Sequence, residues 1–247
     1  MYQVNNGGLE SFNVQIDNTV INGALAGGIL INRVSTTDPS MPKSYVTVCT
    51  DIEGTLYLGQ SYTYNTPVTA FAGETGIAPT WGIPSNGNAA AEAIQNAAYL
   101  FYTYGQLTST GVGLGTTTLK AALQLAVWDA LYNTTDTGQI EAMTASDARF
   151  KVTAGDQAAI TQAKAWIAAL NGMGDEEGNF GLAGYLLTPF TTPHNYNTDG
   201  KPPQGLMFGV VPEAPTVIAS ALLLLPFAAS AFKILRRKHA VSDSANQ

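Results

Sequence analysis

Two side chains far apart in the chain have types that could react with each other: Cys49, the single cysteine, and Gln124. A cysteine thiolate that attacks a glutamine carboxamide expels ammonia and leaves an internal thioester. Such a bond persists while it is buried and acylates an amine or hydroxyl that reaches it. The reaction needs the sulfur on one rigid element and the amide on another, held in register. It also needs apolar neighbours to keep water away, a part that Trp128 and Tyr45 could fill. The bland alternatives are clear. A cysteine in a strand is most often a small buried hydrophobe, and a glutamine on a helix is usually solvated. The chemistry therefore depends on whether the two side chains meet.

The element that must carry Gln124 is residues 117–132, TTLKAALQLAVWDALY. Leu119, Leu123, Val127 and Leu131 recur at helical spacing with Ala122, Ala126 and Ala130 beside them, which predicts a helix with one buried face. Gln124 borders that face, and Trp128 follows one turn later. An amide held against a dry core without a partner costs on the order of 1–3 kcal/mol, so a partner is expected. Cys49 lies in the strand-like run 44–50.

The first 70 residues read as strands. Short apolar or alternating runs at 12–16, 20, 29–31, 45–48 and 55–64 are separated by Asn-Gly, Gly-Gly and Asp-Pro breaks. Tyr57, Tyr62 and Tyr64 suit a pleated, half-buried surface. A helix is predicted from Ala90, Ile94, Ala97, Ala98 and Phe101, ended by Gly105. Tyr99, Tyr102 and Tyr104 at this spacing read as core, with a sugar-binding face as the alternative. A flexible Gly/Thr/Ser linker is expected over 107–115. A third helix is predicted over 156–171, with Ile160, Ala163, Ile167 and Leu170 inward and Gly172 as its stop. Strands return at 184–190 and 205–211. The order is β, helical insertion, β.

Composition narrows the function classes. The chain has 247 residues, 45% hydrophobic and 12% charged, so it is a folded and lightly charged protein. Of eleven basic residues, Lys233, Arg236, Arg237 and Lys238 fall in the last fifteen positions. Before residue 216 there remain seven basic against seventeen acidic side chains, a balance of −10. Nucleic-acid binding needs a basic footprint and is not expected. A single cysteine rules out an intrachain disulfide framework and a Cys-rich metal site. His194 is the only histidine before the tail, so a His-centred triad or zinc site lacks material. The loop 192–200 reads as a turn, with a weak calcium site through Asp199 as a minor alternative. Asp175, Glu176 and Glu177, flanked by glycines, read as a solvated loop.

The end of the chain carries a specific pattern. Val211, Pro212, Glu213, Ala214 and Pro215 precede seventeen uncharged residues, TVIASALLLLPFAASAF, and then Lys233, Arg236, Arg237 and Lys238. The apolar run is at the short limit for a spanning helix. The basic cluster would stay cytoplasmic, placing the preceding residues across the membrane. An ordinary tail anchor is one reading. The pattern also resembles the PEP-CTERM sorting signal of Gram-negative, exopolysaccharide-producing bacteria, with Ala214 where a second proline usually stands. That resemblance implies recognition by an exosortase, an intramembrane cysteine protease, and cleavage near the Pro-Glu motif. It also implies a signal peptide, whereas MYQVNNGGLE has neither the basic nor the apolar region of one. The true start is therefore expected upstream.

A second resemblance covers roughly residues 45–210. VCTD at 48–51, AAYLFYTYG at 97–105 and LQLAVW at 123–128 resemble the thioester domain of bacterial surface adhesins. Those domains combine a β-sandwich with a helical subdomain, place the cysteine early, and set the glutamine in a Gln-x-Ala-[Ile/Val]-Trp helix. Here Val48 and Thr50 flank the cysteine where an aromatic and an aliphatic are usual, and Leu123 replaces a common threonine.

The fold expected is thus mainly β with an α-helical insertion, α+β in class. A thioester-like domain spans 1–210, made of a β-sandwich (1–70 and 183–211) and a helical insertion (85–172). A sorting signal follows at 211–239, with a transmembrane helix at 216–235. The site expected is the Cys49–Gln124 thioester surrounded by Asp51, Trp128 and Tyr45, with Val211, Pro212, Glu213, Pro215, Arg236 and Arg237 forming the sorting signal. No metal and no cofactor are expected, and no enzymatic turnover. The partners expected are an exosortase, the membrane, and a nucleophile on an extracellular polysaccharide or surface protein. The localisation expected is an inner-membrane-anchored precursor that passes to the cell surface or extracellular matrix. The alternative function is a non-catalytic structural or carbohydrate-binding matrix protein.

Overall fold

A computed structural model describes residues 2–34, 44–50, 52, 57–62, 68–69, 88–105, 107–108, 111–135, 137–173, 184–187 and 206–209. All of them belong to the first of the two units into which the chain divides, Met1–Val210. The spanning helix expected at 216–235 and the sorting residues Val211, Pro212, Glu213, Pro215, Arg236 and Arg237 lie outside the described residues. Among the described residues, no helix is long and apolar enough to cross a membrane.

A long antiparallel hairpin, β1 (Tyr2–Ile16) and β2 (Thr19–Arg33), forms the base of the fold. Pairing of Ile16 with Thr19 leaves a two-residue turn in which Asp17 adopts a left-handed φ of 49°, a conformation Asp tolerates. The Asn-Gly and Gly-Gly sequences expected to break these strands lie inside them. Register shifts between Asn6 and Leu9 and between Phe12 and Val14 absorb the irregularity as bulges. Gly27, at φ 142°, lies so close to the Gly8 carbonyl that a Cβ would collide with it. Lys120 crosses this glycine-rich stretch, its Nζ donating to the Gly7 carbonyl at 2.8 Å.

β3 (Ser44–Cys49) pairs antiparallel with β2 from Ser44 to Thr47. It also pairs with β10 (Leu206–Gly209) at Val48 and Cys49. β10 continues to β9 (Gly184–Leu187), and β9 to β5 (Val68–Thr69); β4 (Ser61–Tyr62) closes on the start of β1. The result is a mixed, mostly antiparallel sheet. Tyr57, expected in a strand, sits 40% exposed at a turn. Tyr64 lies outside the described residues.

There are three helices among the described residues, α1 (Asn88–Tyr104), α2 (Thr117–Asn133) and α3 (Gln157–Asn171); α2 packs on the sheet, and α1 and α3 pack mainly on α2. α3 matches its expected periodicity, with Ile160, Ala163, Ile167 and Leu170 buried, Asp156 capping the start and Gly172 the end. The segment 85–172 is not wholly helical. Residues expected to be a flexible linker form a small hairpin, β6 (Leu107–Thr108) and β7 (Gly111–Val112), and β7 pairs parallel with β3. β8 (Phe150–Ala154) pairs with the distal part of β1. Phe150 there is fully buried and meets Trp128 edge-on, ring centroids 6.1 Å apart.

α2 is the centre of this arrangement. It touches α1, α3, β1, β2, β3 and β8, so every residue from Ala121 to Asn133 is buried, not one face alone. Thr116 caps its start, its hydroxyl accepting from the Leu119 N–H. A helix covered on all sides must find partners for each polar side chain it brings inside.

Candidate functional site

Gln124 and Cys49 meet. Gln124 is completely buried and Cys49 is 1% exposed. The Cys49 backbone N–H donates to Gln124 Oε1 at 2.6 Å, and Gln124 Nε2 donates to the Cys49 carbonyl at 2.7 Å. The carboxamide therefore binds both main-chain groups of one residue, as a neighbouring strand residue would. It does so beyond Thr47, where the β2 ladder stops. The flipped amide would oppose donor to donor and acceptor to acceptor, so the network fixes its orientation.

Of what acyl transfer to sulfur would need at the amide, the arrangement supplies a donor at the carbonyl oxygen. In an attack by the Cys49 sulfur on Cδ of Gln124, Oε1 becomes the oxyanion, and the Cys49 N–H already points at it. Nε2 is the departing nitrogen, and the Cys49 carbonyl holds its N–H. Trp128, one turn after Gln124, is 1% exposed and packs against Phe150, leaving its Nε1 buried without a hydrogen-bond partner. It is an apolar wall on the helix that carries the amide. Two more buried residues frame the site: Val48 before the cysteine and Leu206 opposite it in β10.

Of the other expected site residues, Tyr45 is placed by its backbone, opposite Ile31 in the β2–β3 ladder; its side chain is outside what the structure describes. Asp51 also lies outside the described residues. Among the described residues, no group of three or more His, Cys, Asp or Glu side chains could hold a metal ion.

The sequence reading missed two features of α2. Asp129 is 1% exposed, and burial pushes its carboxyl up to about 8, opposed by the hydrogen bond it accepts from Asn133 Nδ2 at 2.6 Å. The second feature is repetition of the clamp. Asn133 Oδ1 accepts from the Phe150 N–H at 2.8 Å while its Nδ2 donates to the Phe150 carbonyl at 2.9 Å. Asn171, at the end of α3, grips Ile140 in the same way at 2.9 and 2.7 Å. Among the described residues, three helix-borne carboxamides thus each bind the backbone of one non-helical residue, and Gln124 does so at the cysteine. The sole available signal was an amide facing an otherwise apolar helix, which resembles a solvated residue when neighbours are unknown.

The tyrosines of α1 are less buried than expected of core residues. Tyr102 is 54% exposed, Tyr99 and Tyr104 are partly covered, and Tyr104 stacks on Trp166 of α3 with centroids 4.9 Å apart.

Comparison with protein-family models, with curated proteins and with solved structures finds no match to this chain.

Proposed function

We propose that this chain is an exported bacterial surface or matrix protein whose β-sandwich and helical subdomain carry a Cys49–Gln124 thioester. In this reading it is a covalent adhesin. The observation that carries it is the pair of hydrogen bonds joining the Gln124 carboxamide to the backbone of the only cysteine, in a fully buried setting. Formation replaces the C–N bond of the amide by a C–S bond. Cys49 loses its thiol proton, and ammonia leaves with it. An amine or hydroxyl on a surface protein or extracellular polysaccharide later attacks the same carbon and returns the thiol, leaving a permanent link without turnover.

Export and sorting complete the proposal: an exosortase recognises Val211, Pro212, Glu213 and Pro215, with the apolar run in the membrane and Arg236 and Arg237 on the cytoplasmic side. The test is intact mass of the purified chain. The expected result is a mass lower by one ammonia, converted to an amine adduct by methylamine and absent from Cys49→Ala. An unmodified mass in the wild type refutes the thioester.

A second reading is favoured by a specific observation. The Asn133 and Asn171 clamps have the same geometry at Phe150 and Ile140, which have no reactive side chain. On that reading Gln124 is a structural clip and the protein is a non-catalytic structural or carbohydrate-binding component of the matrix. The half-buried stacked pair of Tyr104 and Trp166 is the surface that would meet a sugar.

A further inference from the structure

The backbone around Cys49 is held to α2 at a second point. Two turns beyond Gln124, Tyr132 is 1% exposed, and its Oη accepts a hydrogen bond from the Ile52 N–H at 3.3 Å. Before Cys49 the chain is fixed by the β2 and β10 ladders. After it, the ladder with β2 has ended, and Ile52 lies in a bend. The Tyr132 ring is itself pinned, buried beside Phe150 with centroids 6.4 Å apart. One rigid helix therefore grips the segment at Cys49 itself and again three residues later.

We propose that Tyr132 is a positioning residue for thioester formation: its hydroxyl, by holding Ile52, fixes the path of the chain leaving Cys49 and hence the approach of the sulfur to Gln124. This rests on the thioester reading above. The physical reason is the steep distance dependence of such reactions. The carboxamide clamp holds the Cys49 N–H and carbonyl to α2, and the tether at Ile52 limits how far the main chain can rotate about those two bonds, and so where Cβ aims the sulfur. A displacement of about 1 Å in a near-attack arrangement costs on the order of a hundredfold in rate.

Tyr132→Phe deletes the hydroxyl and keeps the ring. The experiment takes the full chain, recovered unfolded and reduced, folds it, and follows loss of ammonia by intact mass over time. The wild type is compared with Tyr132→Phe and with Ile167→Val, a mild core change on α3 that lowers stability away from the site. The expected result is ammonia loss slowed about tenfold or more in Tyr132→Phe and unchanged in Ile167→Val. Equal rates in wild type and Tyr132→Phe overturn the positioning role while leaving the thioester in place. Absence of ammonia loss from the wild type overturns both. Native-state hydrogen exchange on the wild type gives a measurement without any variant: the Ile52 and Cys49 amides should be protected and open together. An unprotected Ile52 amide beside a protected Cys49 amide shows that the tether does not hold, and overturns the proposal.

Discussion

Replacing Gln124 by Glu in a Cys49→Ala background isolates the clamp from any covalent chemistry. The substitution is nearly isosteric and keeps the oxygen that accepts from the residue-49 N–H at 2.6 Å. It removes the donor to the residue-49 carbonyl at 2.7 Å and sets a second oxygen against it. In a position with no solvent exposure, a carboxylate facing a carbonyl costs several kcal/mol. The introduced carboxyl has a cheaper alternative, which is to keep its proton and donate it to that carbonyl. Keeping a group with an unfolded pKa of about 4.3 protonated at pH 7 costs about 3.7 kcal/mol, falling to about 1 kcal/mol at pH 5.

The expected destabilisation relative to Cys49→Ala alone is therefore about 3–4 kcal/mol at pH 7 and about 1 kcal/mol at pH 5. The sign follows from linkage. The folded state binds the proton that the unfolded chain releases, so the difference grows as pH rises above about 4. Urea denaturation of both proteins at the two pH values measures it, and all other titrations cancel in the difference. A loss below 1 kcal/mol at pH 7, or one that does not shrink with acidity, refutes the clamp as described.

Two further perturbations test how α2 is held. Asp129 has its carboxyl pushed up to about 8 from 3.8 by burial, so the folded state retains a proton that the unfolded chain has lost. Its contribution falls by about 1.4 kcal/mol per pH unit between about 4 and 8, and Asp129→Asn should raise stability by up to about 4 kcal/mol at pH 7 with little gain at pH 4. Denaturant midpoints that move equally at both pH values would refute a neutral, buried Asp129. Gly27→Ala places a Cβ against the Gly8 carbonyl at a φ of 142°, and a loss of about 2–4 kcal/mol in urea titration is expected; a neutral result would mean that the β1–β2 crossing beneath Lys120 is not packed closely.

The parts of the fold that could be read from sequence were those with a strong local period. The inward residues of α3 recur at helical spacing between an aspartate cap and a glycine stop, and the structure places them so. Cys49 and Gln124 stood out because one was unique and the other sat among alanines and leucines. What could not be read depends on tertiary neighbours. Asn-Gly and Gly-Gly were expected to end strands, yet Gly7, Gly8, Gly27 and Gly28 allow two strands to bulge and approach under a helix. Asp129 lies on a helix expected to bury only one face, but every residue from Ala121 to Asn133 is buried. Phe150 starts a strand inside a region of helical pattern because β1 runs long enough to offer it an edge.

The repeated clamp limits what stability measurements can say about chemistry. Asn133 on Phe150 and Asn171 on Ile140 show that a carboxamide bound to one residue's backbone suffices as a structural device in this fold. Loss of stability on altering Gln124 would follow under either reading of the protein. The two readings part only at the atom that the clamp does not touch. At residues 150 and 140 the clamped residue carries hydrocarbon, whereas at residue 49 it carries sulfur, and the amide that grips its backbone has both its oxygen and its nitrogen engaged. The side chains of Phe150 and Ile140 cannot attack a carboxamide, whereas a cysteine thiol can, with ammonia leaving from the glutamine. The decisive observable is therefore mass, and the clamp experiment in the Cys49→Ala background is independent of it. Each can fail without the other, so the geometry and the chemistry can be judged separately.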